Sequence, residues 1–359
     1  MRFYTTQHRF YAGIDLHART LHLCVLDQHG NTVYDKNLPA KPEPLLKALA
    51  PFRDDLILAA ECMFAWYWVA DLCATEHIPF IIGHALYMRL IHGAKAKNDQ
   101  IDAGKIARLL KGGNFPLAYA YPKGMRETRD LLRRRNYFVR QRAALMTHLQ
   151  ILNAQYNLPP FSKKISFAAN RAELNIAERF DDRSVQHSAA ANLAIIDCLD
   201  QQTAQLELYL VRTAKVEDVQ TYHRLQTIPG VGKVLALVIL YEVHNILRFQ
   251  SAGQFLSYTR LVRCRHVSAG KTLGSGGKKI GNAHLRWAFG EAACLFLRAS
   301  ERARQWKERQ TKKRGEGKAL GILAAKLARA VYHLWRKQEA FDEQRFWSGQ
   351  VKPATAARV

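Results

Sequence analysis

Arg9 to Leu26 reads RFYAGIDLHARTLHLCVL. Phe10 to Ile14 is an apolar run with a β-branched end, and it stops at Asp15. Leu21 to Leu26 is a second apolar run, and His17 to Thr20 is the short polar link between them. Two such runs joined by a few polar residues predict a β-hairpin, with Asp15 on the first strand or at its end. A carboxylate among apolar neighbours must be solvated, paired or bound to a metal, because burying it alone is too costly. In this stretch alone, an acid at a strand end capping a turn explains Asp15 better than a ligand does. The weight for a ligand comes from farther along the chain.

Working outward, Asp27 to Asn31 is a turn by composition and Thr32 to Asn37 a third strand, so the start predicts an antiparallel meander. Pro39 to Pro44 reads as a linker and Leu45 to Phe52 as a short helix. Leu56 to Ala60 (LILAA) is a continuous apolar run ending at Glu61, which suits a strand buried on both faces. Phe64 to Ala74 is expected to be helical, Pro79 to Gly83 a further buried strand, and Ala94 to Leu110 a helix with Asp99 and Asp102 in its first turns. Strands followed by alternating helices and strands predict a mixed sheet with helices on its faces, and sites in such sheets gather at strand ends. Asp99 and Asp102 share one helix face, roughly 5–6 Å apart at Cβ. Taken singly they are acids that favour a helix N-terminus. Together with Asp15 and Glu61 they make four carboxylates from separate segments, the donor set that magnesium and two-metal sites require.

The formal net charge of +24 and a pI near 10.0 make nucleic acid the first partner to consider and an acidic membrane surface the second. No apolar run reaches the length needed to span a bilayer and the N-terminus lacks a signal-peptide core, so a cytoplasmic protein is expected. The six cysteines are scattered with no C-x-x-C pair, which argues against a zinc ribbon and for reduced thiols. The histidines show no H-x-x-x-H pattern.

Gly112 to Pro122 closes the first domain. Arg126 to Tyr156 reads as a long basic helix in which Leu131, Phe138, Leu145 and Leu152 step by seven, interrupted by Arg135 and Arg142. That is a coiled-coil seam, ended by Pro159 and Pro160. A second long helix is expected from Ser188 to Leu225, pairing either within the chain or with a second subunit. Ile228-Pro229-Gly230-Val231-Gly232 followed by the apolar Lys233 to Tyr241 puts backbone N–H groups at a helix N-terminus, a natural phosphate seat like a helix-hairpin-helix turn. Between Glu242 and Glu291 there is no acid, while Arg248, Arg260, Arg263, Arg265, Lys271, Lys278, Lys279 and Arg286 fall there among glycines and Ser251, Ser257, Ser268 and Ser275. One-signed intervals are often solvated faces; this one suits a loop pressed against phosphates. Ala288 to Leu297 is an apolar helix, Arg309 to Lys318 a basic loop, Leu320 to Trp335 a last helix, and the chain after Gly349 a fraying end.

These residues resemble the transposases of bacterial insertion sequences of the insertion-sequence-110 type. The matching stretches are Tyr11-Ala12-Gly13-Ile14-Asp15, Leu58-Ala59-Ala60-Glu61, Lys97 to Ala103, and Leu225 to Arg286 with Ile228 to Gly232, Arg248-Phe249, Ser268 to Lys271 and Lys279 to Arg286. The resemblance runs in order to about Ala293. It implies an RNase H/RuvC-like domain with a D-E-D-D set, so that Asp15, Glu61, Asp99 and Asp102 take the metal positions, with two Mg²⁺ ions expected. It also implies a C-terminal domain in which Ser268 takes the place of a serine in covalent strand cleavage, and a noncoding guide RNA from the element itself. Cys62-Met63-Phe64 departs from the small-Thr-Gly run usual after the Glu, and Asn98 stands where Thr is common. The stretch from Ser268 to Lys279 is one residue longer than in the family, which leaves Ser275 as the second candidate nucleophile.

The expectation is therefore α/β plus α, in four parts. Residues 1–125 form a RuvC-like catalytic domain, 126–220 a helical coiled-coil arm, 221–340 a mainly helical C-terminal transposase domain with a helix-hairpin-helix-like turn, and 341–359 a tail. The function read from it is a DNA transposase or recombinase, a homo-oligomer (dimer or tetramer) with magnesium on the four acids and Ser268 as nucleophile. Gly230, Gly232, Lys233, Arg260, Arg263, Arg265, Lys271, Lys278, Lys279 and Arg286 are expected to touch nucleic acid. The rivals are a junction-resolving endonuclease that activates water on the same acids, and a non-enzymatic nucleic-acid-binding protein. Metal-dependent cleavage and a protein–DNA adduct separate the three.

Overall fold

The computed structural model describes residues 2–91, 98–214, 218–262, 266–274 and 280–348. The chain divides into two compact units, Met1–Lys123 and Gly124–Val359. In chain order the first contains β1 (Phe3–Tyr4), β2 (Phe10–Leu16), β3 (Thr20–Asp27), β4 (Thr32–Pro39), α1 (Pro42–Leu49), β5 (Leu56–Glu61), α2 (Trp66–Thr75), β6 (Phe80–Gly83), α3 (Ala85–Ile91), α4 (Asp99–Lys111) and β7 (Phe115–Pro116). Five strands form a mixed sheet in the order β4-β3-β2-β5-β6. The β2–β3 and β3–β4 pairs are antiparallel, and β2–β5 and β5–β6 are parallel. The meander and the two buried strands thus form as the apolar runs predict. Two details differ. The first strand continues through Asp15 to Leu16, and Pro42, inside the expected linker, opens α1; proline fits a first helical turn because no N–H is needed there. The pair β1–β7 lies partly in the expected closing stretch. Strands of two residues are too short to show a period.

Strand alternation sorts β2 between two cores. Ala12, Ile14 and Leu16 join Leu21, Leu23, Leu58 and Ala60 under α1 and α2, whereas Tyr11 joins Cys24, Ile57 and Ala59 under α4. Gly13 and Asp15 share Tyr11's face, and Glu61 shares the face of Ile57 and Ala59. At Gly13 the helix comes onto the strand backbone. A Cβ there would lie 2.3 Å from the Ala103 carbonyl oxygen and 2.6 Å from the Ala107 nitrogen. Only a residue without a side chain allows this approach.

The second unit contains α5 (Met125–Gln155), α6 (Ala168–Glu173), α7 (Arg183–Thr213), α8 (Val219–Gln226), α9 (Lys233–Val243), α10 (Ala252–Tyr258), β8 (His266–Ser268), β9 (Lys271–Gly274), α11 (Ala283–Ala299), α12 (Glu301–Arg314), α13 (Glu316–Lys337) and α14 (Glu343–Ser348). The long helices α5 and α7 pair antiparallel within the chain. Arg135 Nε donates to Glu207 at 2.8 Å, Arg142 pairs with Asp200, and the Asn192 amide meets His148 at 2.9 Å. The arginines that interrupt the heptad seam are therefore the ion pairs that set its register. Residues including Met146, Leu149, Ile176, Phe180 and Ile196 form a separate core toward one end of this pair. At the other end Met125, Leu132 and Leu210 join the large core of α9, α11 and α13.

Three expectations are corrected here. The second long helix does not run from Ser188 to Leu225. It starts at Arg183, capped by the Asp182 carboxylate on the Ser184 and Val185 amides, and ends at Thr213, and α8 is separate. Arg309 to Lys318 is not a loop: α12 continues to Arg314, and the break is Gly315 at φ +83°. Residues 341–348 are not tail, because Phe346 and Trp347 are buried in the large core beside Phe296 and Trp306. Aromatic residues after the charged α12 and α13 carry no period of their own, so only the packing identifies them as core.

Glu242 on α9 is the buried charge of this unit, with a side chain 2% exposed. Arg133 donates to it at 2.6 and 2.9 Å, Arg129 at 3.1 Å, and the Asn282 amide at 2.7 Å. Burial raises the Glu242 pKa, but the Arg133 hydrogen bonds, the Arg129 and Arg133 charges and the Asn282 amide outweigh it and hold the carboxyl at about 2. The Asn282 oxygen meanwhile caps α11 by accepting from the His284 and Leu285 amides. One carboxylate thus ties α5, α9 and α11 together.

Two outcomes are expected. Gly13→Val should cost at least the ~1–3 kcal/mol typical of overpacking, read as a fall in Tm, because the clash is with helix backbone. Glu242 is held below its unfolded value of 4.5, so its contribution is complete above pH 4.5 and is lost as pH falls toward 2. Glu242→Gln should cost about 1.5–3 kcal/mol at neutral pH by removing the charged acceptor that Arg129, Arg133 and Asn282 share, and should flatten the acid limb of a urea-stability profile taken across that window.

Candidate active site

The α4 face of the sheet is where the sequence-predicted acids lie. Asp15 is half-buried on β2, opposite His22 in the β2–β3 register. The strand reverses immediately after it, with the His17 amide donating to the Thr20 carbonyl at 2.9 Å. On α4, the Asn98 side chain accepts from the Ile101 amide at 2.7 Å, which starts the helix and places Asp99 in its first turn. Asn98 departs from the family's usual Thr, yet both residues are good N-caps, so the departure preserves the helix start. Because α4 lies against Gly13, its N-terminus comes to the end of β2. The Asp99 and Asp15 carboxylates flank His17, whose Nε2 is 3.3 Å from Asp99 Oδ1 and 3.5 Å from Asp15 Oδ2. Among the described residues, Asp15, His17 and Asp99 are a group whose ligand atoms all lie within 4.8 Å of one another.

Glu61 ends β5, half-buried, and the Ile14–Ala60 register sets it on the strand next to Asp15 and on the same face. Asp102 is half-buried one turn into α4 and takes an ion pair from Lys105 at 3.0 Å. Asp15 and Asp99 are thus brought together about His17, with Glu61 on the neighbouring strand and Asp102 engaged by a lysine. His17 is the residue that sequence reading passed over as part of a polar link. The available signal was its position two residues after Asp15, just past the end of β2. The segment after Glu61 presents Phe64 to solvent, 76% exposed.

The donor set suits a divalent metal. Two carboxylates supply hard oxygens, the imidazole supplies a nitrogen, and all three reach the surface at a strand end, where water can complete a coordination shell.

In the second unit, Ser268 is exposed at the end of β8 and pairs with Lys271 across a two-residue turn. Ala269 and Gly270 in that turn have φ of +47° and +74°. Two positive φ values are the signature of a type I′ hairpin, so the serine and the exposed Lys271 are held at a tight tip. Arg260, half-buried, spends its Nε on the Gly281 carbonyl at 2.8 Å. Arg286 is exposed on α11. Gly230 has φ +87°, and a Cβ on it would come within 2.6 Å of the Leu295 carbonyl carbon, so packing on α11 already explains this glycine. Gly232, at the N-cap of α9, has open space around it, and Lys233 is exposed. Arg263, Arg265, Ser275, Lys278 and Lys279 lie outside the described residues.

Among the described residues, no helix is long and apolar enough to cross a membrane. Residues 12–157 match the DEDD transposase family of the IS110 type, and residues 222–308 match the Transposase IS116/IS110/IS902 family. Over 346 residues the chain is 24% identical to the transposase for insertion sequence element IS1111A of Coxiella burnetii, covering 92% of this chain and 90% of that one. Over 341 residues it is 24% identical to the transposase for insertion sequence element IS1328 of Yersinia enterocolitica, covering 92% and 98%. Two family matches in the expected order, with relatives aligned along nearly the full length, place the carboxylate unit and the serine-bearing unit in one kind of protein: the chain belongs to the IS110 family of insertion-sequence transposases, enzymes that cleave and join DNA.

Proposed function

We propose that this transposase cuts DNA with the Asp15, Glu61, Asp99 and Asp102 carboxylates holding Mg²⁺, two ions in all, and with Ser268 as the attacking group. The observation that carries the reading is the convergence of Asp15 from β2 and Asp99 from α4 on His17. The strand order supports an RNase H/RuvC-like fold for the first unit, with an antiparallel three-strand meander followed by two parallel strands on the side of β2. Metal bound to these acids supplies Lewis-acid polarisation of the scissile phosphate and a lowered pKa for a bound hydroxyl. The protein's own part is positional. Gly13 sets the distance between strand and helix, Asn98 fixes the first turn of α4, and Lys105 orients Asp102.

At the Ser268 hairpin, the serine oxygen forms a bond to phosphorus, the bond from phosphorus to the leaving deoxyribose oxygen breaks, the serine hydroxyl proton passes to solvent, and the leaving oxygen takes a proton from solvent to become a hydroxyl. A free serine hydroxyl is a weak nucleophile, so this step requires the hydroxyl to be activated. Lys271 beside it, the open α9 N-terminus at Gly232 and Lys233 in a helix-hairpin-helix-like turn, and Arg286 are phosphate contacts in this reading, joined by Arg260, Arg263, Arg265, Lys278 and Lys279. The basic surface suits both DNA and the noncoding guide RNA of the family resemblance, in a cytoplasmic oligomer.

Asp15→Asn should lower cleavage of an element-end substrate by ~10³-fold or more, several kcal/mol of transition-state stabilisation. DNA binding in a filter or anisotropy assay should be retained, because the basic surface is untouched. Ser268→Ala should abolish both cleavage and the protein–DNA adduct seen on denaturing gels. An adduct that survives and maps to Ser275 would move the nucleophile there, and cleavage by the parent chain with no adduct would assign the attack to water.

A further inference from the structure

We infer that His17 is a nitrogen ligand in the carboxylate metal site, so that the site has a mixed oxygen and nitrogen donor set and prefers Mn²⁺ to Mg²⁺. This rests on the proposed reading that the acids hold a divalent ion. The geometry separates His17 from His8 and His22. His8 and His22 each stand 2.6 Å from one aspartate, Asp55 and Asp35 respectively, as ordinary hydrogen-bonded pairs. His17 does neither. Its Nε2 is 3.3 Å from Asp99 and 3.5 Å from Asp15, beyond the 2.7–3.2 Å of a good N–H···O bond, and nearly equidistant from two carboxylates on different elements. Two ligands at right angles on an ion with bonds of about 2.1 Å stand about 3 Å apart. The two distances from Nε2 are therefore close to those between neighbouring corners of a coordination shell, and longer than those of a hydrogen-bonded pair.

The backbone supports the assignment. His17 lies just past the end of β2 at Leu16, two residues after Asp15. The hairpin bond from the His17 amide to Thr20 pins its Cα at that point. The ring is 47% exposed, so no core packing accounts for its place between the two acids. An imidazole among carboxylates moves preference away from magnesium, which favours oxygen, toward first-row ions that also accept nitrogen.

The test uses the full chain loaded with Mn²⁺ and read by pulsed electron paramagnetic resonance. The expected result is a ¹⁴N coupling of a directly bound imidazole that disappears in both His17→Ala and His17→Asp. His17→Ala should also weaken Mn²⁺ binding by at least the roughly tenfold that loss of an outer partner costs. His17→Asp, an all-oxygen set, should bind Mg²⁺ at least as well as the parent. Thermal unfolding of the two variants, expected to match the parent for so exposed a ring, shows that the fold is retained. Mn²⁺ bound by the parent without ¹⁴N coupling, or a coupling that persists in His17→Ala, overturns the inference and leaves the carboxylate reading standing. A parent chain that binds no Mn²⁺ overturns both.

Discussion

The contact on which the first unit depends is that of α4 with β2 at Gly13. A helix normally stands off a sheet by the thickness of two side-chain layers. Here the Ala103 carbonyl oxygen and the Ala107 nitrogen lie 2.3 and 2.6 Å from where a Cβ would be, so the N-terminus of α4 reaches the strand end. Everything chemical in the unit follows from that distance. Asp15 lies on the strand and Asp99 on the helix, more than eighty residues apart in the chain, and only a close approach puts both beside one imidazole. The small residues of the contact are thus as much a part of the site as the carboxylates.

The second unit solves a different problem. It must hold a long basic helix pair and a serine-bearing hairpin on an otherwise apolar helical core. Glu242 does this by giving three elements one buried anion to share, from Arg129 and Arg133 on α5 to Asn282 at the start of α11. Such a centre stabilises only while fully paired, because a buried charge without its partners is strongly unfavourable. Asn282 also caps the start of α11, so this network fixes where that helix begins.

Much of the first unit was legible because its signals are local and short-ranged. Phe10 to Leu26 holds two apolar runs joined by a short polar link, and LILAA before Glu61 suits a strand buried on both faces. What escaped were features whose cause lies elsewhere in space. His17 looks like a loop residue until α4 is placed beside it. The β1–β7 pair has too few residues for a pattern. Phe346 and Trp347 look like a tail until Phe296 and Trp306 are seen under them. The arginines at 135 and 142 looked like faults in a heptad seam because the sequence of one helix does not show the Glu207 and Asp200 that answer them. The acids were recognised as a set from their order along the chain, and the distances among them belong to the three-dimensional fold.

The central claim is that Asp15 and Asp99 hold a metal ion at the phosphate to be cut. It is tested most directly by the anomalous signal of Mn²⁺ in crystals of the protein bound to its DNA. The account predicts a peak within about 2.2 Å of carboxylate oxygens of both Asp15 and Asp99, next to a DNA phosphate. A complex competent for cleavage with its Mn²⁺ peak away from these two residues would contradict it.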